Sequence, residues 1–353
     1  MRPIILLILC LLIVSIPAMS RAEQPREKWV DDKEPMSKLA QAERYANIML
    51  LKEKRPAPAK PKRWLLFGKT GFEFDDNVPL LTNMKQYRDG AQDTKAARFT
   101  ISPGVAYEFY RDASRKAGVS YQYSHYLHSN DMDQYNFQNH QVTVYGTQNM
   151  TAWDRPAQLR LNYAFALGVL NRNTYSSSNV WNGAWTGEYA DNLLVTVYQG
   201  LGSINFRDKG FDKNFSSRDG FYGQTGVVQT FLFGQRRRSL SFGYELAVED
   251  TRGKDFKALM NGARVRLVTP VIEKVMFESS FYFQVADYRH FSIHPNRLDF
   301  RYQYEFLLSR PITRNIKATV YYKRTDVHDA HAGVLPQFNY SRNIEGMELT
   351  YAF

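Results

Sequence analysis

Cysteine is nearly missing from this chain: the 353 residues hold one, Cys10. It follows Leu9 inside the apolar stretch 4–16, which fits neither lipidation nor a disulfide framework. No thiolate is on offer for metal binding or nucleophilic chemistry. Long apolar runs are missing too. Past residue 22 nothing approaches the roughly 18 apolar residues that a spanning helix needs. Acidic residues are fewer than basic ones, 35 against 46, for a formal charge of +11. The cations are scattered over turns and alternate positions without a nucleic-acid motif, so nucleic acid is excluded as a partner. Aromatics, by contrast, are plentiful: 23 Phe and 23 Tyr at a mean hydropathy of −0.47. Strands with one lipid face and one aqueous face have that composition.

The chain divides into three regions. Residues 1–22 read as a cleavable export signal, with Arg2, the apolar stretch, and small residues Ser20 and Ala22 before Glu23. In residues 23–63, Met36, Leu39, Tyr45, Ile48, Met49 and Leu51 recur at helical spacing, which predicts a periplasmic amphipathic helix over 36–53. A Pro- and Lys-rich linker follows at 55–63. Extended, such a linker reaches about 28 Å, enough for the helix to enter a barrel from below and gate it. Residues 64–353 form the third region, where the period changes to two.

That period predicts an all-β fold, a transmembrane antiparallel barrel of about fourteen strands, with twelve or sixteen open. The expected strands are 64–75, 97–111, 115–127, 135–148, 156–171, 180–190, 192–206, 221–234, 238–250, 257–269, 274–288, 296–309, 315–327 and 343–353. In the fifth, Leu159, Leu161, Tyr163, Phe165, Leu167 and Val169 share one face. A soluble sandwich would use strands of about five or six residues. Extracellular loops are expected at 76–96, 128–134, 172–179, 207–220, 251–256, 289–295 and 328–342. Mostly shorter periplasmic turns are expected at 112–114, 149–155, 191, 235–237, 270–273 and 310–314, so long outside and short inside is the pattern. Leu349, Tyr351 and Phe353 read as a barrel-closing C-terminal signal. Outer-membrane lipids and the barrel-assembly machinery are the partners this architecture implies, with both termini periplasmic.

If apolar faces meet lipid, the alternate residues line the lumen. Those candidates are Glu245, Glu249, Arg264, Arg266, Glu278, Arg297, Asp299, Arg301, Glu305, Lys317, Lys323 and Glu348. Their alternating signs predict ion-pair ladders across the wall, with Lys317 and Lys323 facing Glu348. Such ladders either stiffen a closed barrel or rim a polar conduit. Cations at the inner turns, including Arg111, Arg115, Arg155, Arg236, Arg237, Arg238 and Arg314, fit phospholipid headgroups or an acidic periplasmic partner. Histidines gather toward the outer rim, where His290, His294, His328 and His331 are weak metal candidates. Ser292 between His290 and His294 is the nearest approach to a hydrolase pair, and no Gly-x-Ser-x-Gly elbow exists. The expectation is a non-enzyme without cofactor.

Residues 71–78, Gly-Phe-Glu-Phe-Asp-Asp-Asn-Val, resemble the opening of barrels that follow tetratricopeptide repeats, the surface lipoprotein assembly modifier type among them. The resemblance covers residues 64–353 and implies a fourteen-stranded barrel that moves cargo to the surface. Residues 23–63 hold one helix, not a repeat array, and no functional residue carries over. The functional expectation is a channel or export conduit, with a non-conducting envelope-bridging protein as the alternative.

Overall fold

The computed structural model describes residues 63–78, 95–129, 135–207, 217–272, 274–290, 297–330 and 339–353. Fourteen strands follow one another: β1 (Trp64–Asp75), β2 (Ala96–Arg111), β3 (Arg115–His128), β4 (Phe137–Ala152), β5 (Arg155–Leu170), β6 (Asn173–Ala190) and β7 (Leu193–Phe206), then β8 (Gly220–Phe233), β9 (Arg238–Thr251), β10 (Ala258–Ile272), β11 (Val275–Tyr288), β12 (Arg297–Pro311), β13 (Ile316–Asp329) and β14 (Tyr340–Ala352). Each is antiparallel to its sequence neighbours, and β1 pairs with β14, so the sheet is a closed barrel. The export signal, the helix over 36–53 and most of the linker lie outside the described residues.

Strand geometry sorts the sequence into two faces, because successive side chains point opposite ways. Phe72 and Phe74 are exposed, and the alternating Glu73 and Asp75 are buried. Phe242, Tyr244 and Val248 are exposed, and Ser241, Glu245 and Ala247 are buried. The exterior is therefore apolar and the interior polar, the inverse of a soluble barrel. Each strand pairs with a neighbour on both sides, so the sheet has no open edge, which is what a bilayer demands of a spanning sheet.

The two ends differ. One carries the short turns 112–114, 153–154, 191–192, 234–237 and 312–315; the other carries most of the longer connections, including 76–95, 207–219 and 330–339. Both residues of Trp153-Asp154 (φ 52° and 61°) and of Asn171-Arg172 (φ 44° and 65°) are left-handed. Paired left-handed residues match the twist of a two-residue hairpin. These turns correct two expectations. The loop at 172–179 is absent: β6 begins at Asn173, and Ser176, Ser177 and Ser178 pair with Gly168, Leu167 and Ala166. A serine run reads as loop by composition, yet here Ser176 fills space that Gly168 leaves, where a Cβ would lie 2.6 Å from its Oγ. Similarly, the turn at 149–155 contracts to Trp153-Asp154, because residues 149–152 pair with residues 155–158 on β5.

Closure depends on the β1–β14 seam, whose ladder runs from Phe67 opposite Ala352 to Asp75 opposite Ile344. Residues 71–78 supply its fastenings. Asp75, fully buried, accepts from Arg342 through Nε (3.1 Å) and Nη2 (2.5 Å). Asp76 accepts from Asn343 Nδ2 at 2.6 Å and from its backbone N–H at 2.7 Å. Asn77 Nδ2 donates to the Ser341 carbonyl at 3.0 Å. At the other end, Phe353 N–H donates to the Leu66 carbonyl at 2.8 Å. Tyr351 lies over Gly68, where a Cβ would be 2.6 Å from its hydroxyl. Removing one member of a buried ion pair strands the other charge and costs about 3–5 kcal/mol. Arg342→Ala should therefore destabilise the barrel by about that amount in urea unfolding. The Asp75→Ala/Arg342→Ala double variant should lose less than the sum of the two singles, since both remove one interaction.

Candidate functional site in the barrel lumen

Cross-strand register builds the lumen wall from rows of neighbouring side chains. One row sets Tyr321, Gly346, Glu73 and Arg98 side by side over β13, β14, β1 and β2. A Cβ at Gly346 would lie 2.8 Å from the Tyr321 hydroxyl, so glycine leaves the ring room to lie across β14. Tyr321 then donates to Glu73, and Arg98 Nε donates to the same carboxylate at 2.6 Å. A second row repeats the device with Tyr198, Gly226, Glu245 and Gly262 over β7 to β10. Tyr198 crosses Gly226 and donates to Glu245 at 2.9 Å. From the other side Tyr282 overlies Gly262 and donates to Glu245, and Gln224 Nε2 adds a third bond. A third row sets Tyr145, Gly118 and Glu108 over β4, β3 and β2.

The sequence-derived lumen candidates take these places. Arg266 pairs with Glu278 at 2.7 Å, and Glu305 lies between Arg264 (3.8 Å) and Lys323 (3.0 Å). Arg297 Nε donates to Asp299 at 2.7 Å. Glu249 stands opposite Tyr222 and Ala258, Arg301 opposite Gln284 and Val327, and Lys317 opposite Thr350. The expected facing of Lys323 and Glu348 is corrected: the register sets Glu348 opposite Thr319 and Lys323 opposite Ile344. Glu348 instead meets Lys69 across the seam at 3.3 Å. Among the described residues no group of three metal-ligating side chains comes together. His328 is exposed beside Tyr302, His290 lies in the turn after β11, and His294, His331 and Ser292 are outside the described residues.

The lumen is lopsided. Buried inward side chains belong mostly to the arc from β7 round through β14 to β2: Thr196, Tyr198, Val228, Thr230, Glu245, Arg264, Arg266, Tyr321, Glu73 and Arg98. On β3 to β6 many inward positions near mid-strand are short and neutral and stay partly exposed, with larger or charged residues such as Lys116, Tyr145 and Arg160 nearer the short-turn end. Gln122 and Ser124, Gln141 and Thr143, Asn162 and Asn182 represent the short ones, and Asn182 donates to Asn162 at 2.8 Å. Large side chains fill one half and small ones leave space along the other.

At the short-turn end, several expected basic residues already have anionic partners. Arg155 pairs with Asp191 at 2.7 Å and Arg236 with Glu188 at 2.6 Å. Asp112 organises the turn between β2 and β3. Its carboxylate accepts from the Tyr110 hydroxyl (2.7 Å) and from the N–H groups of Ser114 (2.7 Å) and Arg115 (2.6 Å). These donors hold its pKa down at about 2, against an ordinary 3.8. Donors that favour the ionised form stabilise the turn fully above the ordinary value. That contribution is lost as pH falls through the lowered one. The Asp112 carboxyl carbon in a 13C NMR titration should thus move near pH 2, and nearer 3.8 in a Tyr110→Phe variant. For the lumen rows, Gly226→Ala should cost about 1–3 kcal/mol in unfolding experiments, as overpacking against Tyr198 does.

The sequence matches no known protein family and no curated protein. Solved structures of similar architecture include the Acinetobacter baumannii outer membrane protein Omp33, 13% identical over 82% of this chain and 98% of that one, at a TM-score of 0.38. The outer membrane channel DcaP of the same organism is 10% identical over 84% and 100%, at 0.45. Pseudomonas putida OprB is 10% identical over 82% and 94%, at 0.43. At such identities and scores they bear on neither substrate nor mechanism.

Proposed function

We propose that this chain is an outer-membrane channel in which small polar solutes pass off-axis, along the β3–β6 wall. The lopsided lumen carries this reading. Inward positions such as Gln122, Gln141, Asn162 and Asn182 keep solvent access, and across from them Glu73, Arg98, Glu245, Arg264 and Arg266 are buried, each held by a neighbouring side chain. Amides and hydroxyls both donate and accept, so they exchange hydrogen bonds with water or a hydroxyl-bearing solute at little cost. Carboxylates tied to tyrosines and arginines hold the other wall rigid. In this reading the short-turn end faces the periplasm, and the remaining cations there meet lipid headgroups or an acidic partner. The resemblance of residues 71–78 to repeat-linked barrels would make the conduit an exporter, and those residues serve the β1–β14 seam.

Refolded protein in a planar bilayer should give discrete conductance steps. Gln141→Trp and Asn162→Trp, which intrude on the open wall, should lower unit conductance about twofold or more. Val142→Trp, on the same strand but facing outward, should leave it unchanged. A folded, heat-modifiable barrel that stays silent would favour the non-conducting, envelope-bridging role.

A further inference from the structure

The outer face should be hydrocarbon-compatible throughout, and on β6 to β8 it is not. Gln199 on β7 has Val197 and Leu201 as same-face neighbours, both exposed, so its amide points outward. It is itself exposed. The register sets it between Gly183 on β6 and Thr225 on β8. Trp185 stands opposite Val197 and Trp181 opposite Leu201, one row pair to either side. Gln199 lies at the middle of β7 (Leu193–Phe206), and the middle of a spanning strand crosses the hydrocarbon. Thr225 satisfies its hydroxyl on the Tyr198 carbonyl at 3.3 Å. Among the described residues, the Gln199 amide has no hydrogen-bond partner.

An unpaired amide in hydrocarbon is costly, and acyl chains cannot satisfy it. Some other outward polar side chains at strand level do find partners: Asn261 accepts from Tyr244 at 2.7 Å and Asn179 from Tyr163 at 2.6 Å. Among the described residues Gln199 does not, and neither does Gln229, which faces outward on the adjoining β8 between Val227 and Phe231. Two glycines, 183 and 223, lie diagonal to each other across the β7 backbone beside Gln199. Small residues around one polar group allow close approach of two membrane surfaces.

We infer that the β6–β8 outer face is the contact between two copies of this chain, with Gln199 at the two-fold axis. A primary amide is its own complement, since each Nε2 donates to the other's Oε1. A two-fold contact presents the same patch twice, which is the geometry that reciprocal pairing needs. The inference is independent of whether the lumen conducts.

The test uses the full chain in mild detergent, in a Cys10→Ser background. Gln199→Cys, oxidised with copper phenanthroline, should give a covalent band of twice the monomer mass, and Met347→Cys on β14, on the opposite outer face, should not. Native mass spectrometry of the unmodified protein should show two barrels. Gln199→Leu, still heat-modifiable, should weaken self-association about 3- to 20-fold, the span of a single polar contact between membrane segments. Gln199→Asn should retain part of it. A folded protein that stays monomeric at every concentration overturns the inference. So does an oligomer of any order that fails to crosslink through position 199, or one that Gln199→Leu leaves unchanged.

Discussion

A barrel has no edge only if its first and last strands meet, and everything else in this molecule presupposes that meeting. An open edge in a bilayer would leave a row of N–H and C=O groups with nothing to bond. Most strand pairs here are joined by a connection that holds them near each other before they pair. The β1–β14 pair has no such tether, because the two strands lie at opposite ends of the barrel sequence. Its register must come from the side chains, and those side chains are unusually demanding. Asp75, Asp76 and Asn77 each select a different partner among residues 341–343. A slip of one residue would turn Asp75 outward and Phe74 into the lumen, so the fastening and the pleat enforce the same register.

The tyrosine–glycine–glutamate rows extend that logic around the ring. A glycine in a strand usually weakens it. Gly346, Gly226 and Gly118 instead receive a tyrosine ring from the next strand, which then reaches a carboxylate one strand further on or stands in its row. The rows at Glu73 and Glu245 tie three strands, not two, and bury apolar ring surface inside a polar lumen. They also explain how Glu73 and Glu245 remain buried: their oxygens are met by oriented donors.

Period-two alternation made most of this fold legible in the sequence. The exposed set on β5 or β12 announces itself, and the boundaries of β1 and β9 fall within a residue of the expected ones. Composition misled where it stood in for geometry. Ser176–Ser178 look like loop because serine is common there, and nothing in a single strand says that Gly168 waits opposite. The lumen followed the same division. Glu245, Arg264 and Glu305 were visible as polar residues at alternate positions, but Tyr198, Tyr282 and Tyr321 were not. A tyrosine at an inward position reads as apolar until the register reveals the glycine beside it. The one available signal was spacing: each row's tyrosine and glycine face each other on neighbouring strands, so a register guess would have exposed them. Similarly, Glu73 sat inside a motif noticed for its resemblance, and its role at the seam needed the closed ring.

The same packing that closes the barrel also divides its labour. On the β7–β8 wall Thr196, Tyr198, Val228 and Thr230 fill the inward face. Close-packed side chains transmit strain and yield little, so an outer surface backed by them keeps its shape under load from a neighbour. Across the ring, Gln122, Gln141, Thr143 and Asn162 are short inward side chains that stay partly exposed, and they leave room for water. A contact with a second copy placed on the open side would press on the conduit; placed on the filled side it presses on a wall. The Gln199 amide lies on β7, on the outer side of that filled wall, so a partner seated there would press on packed side chains.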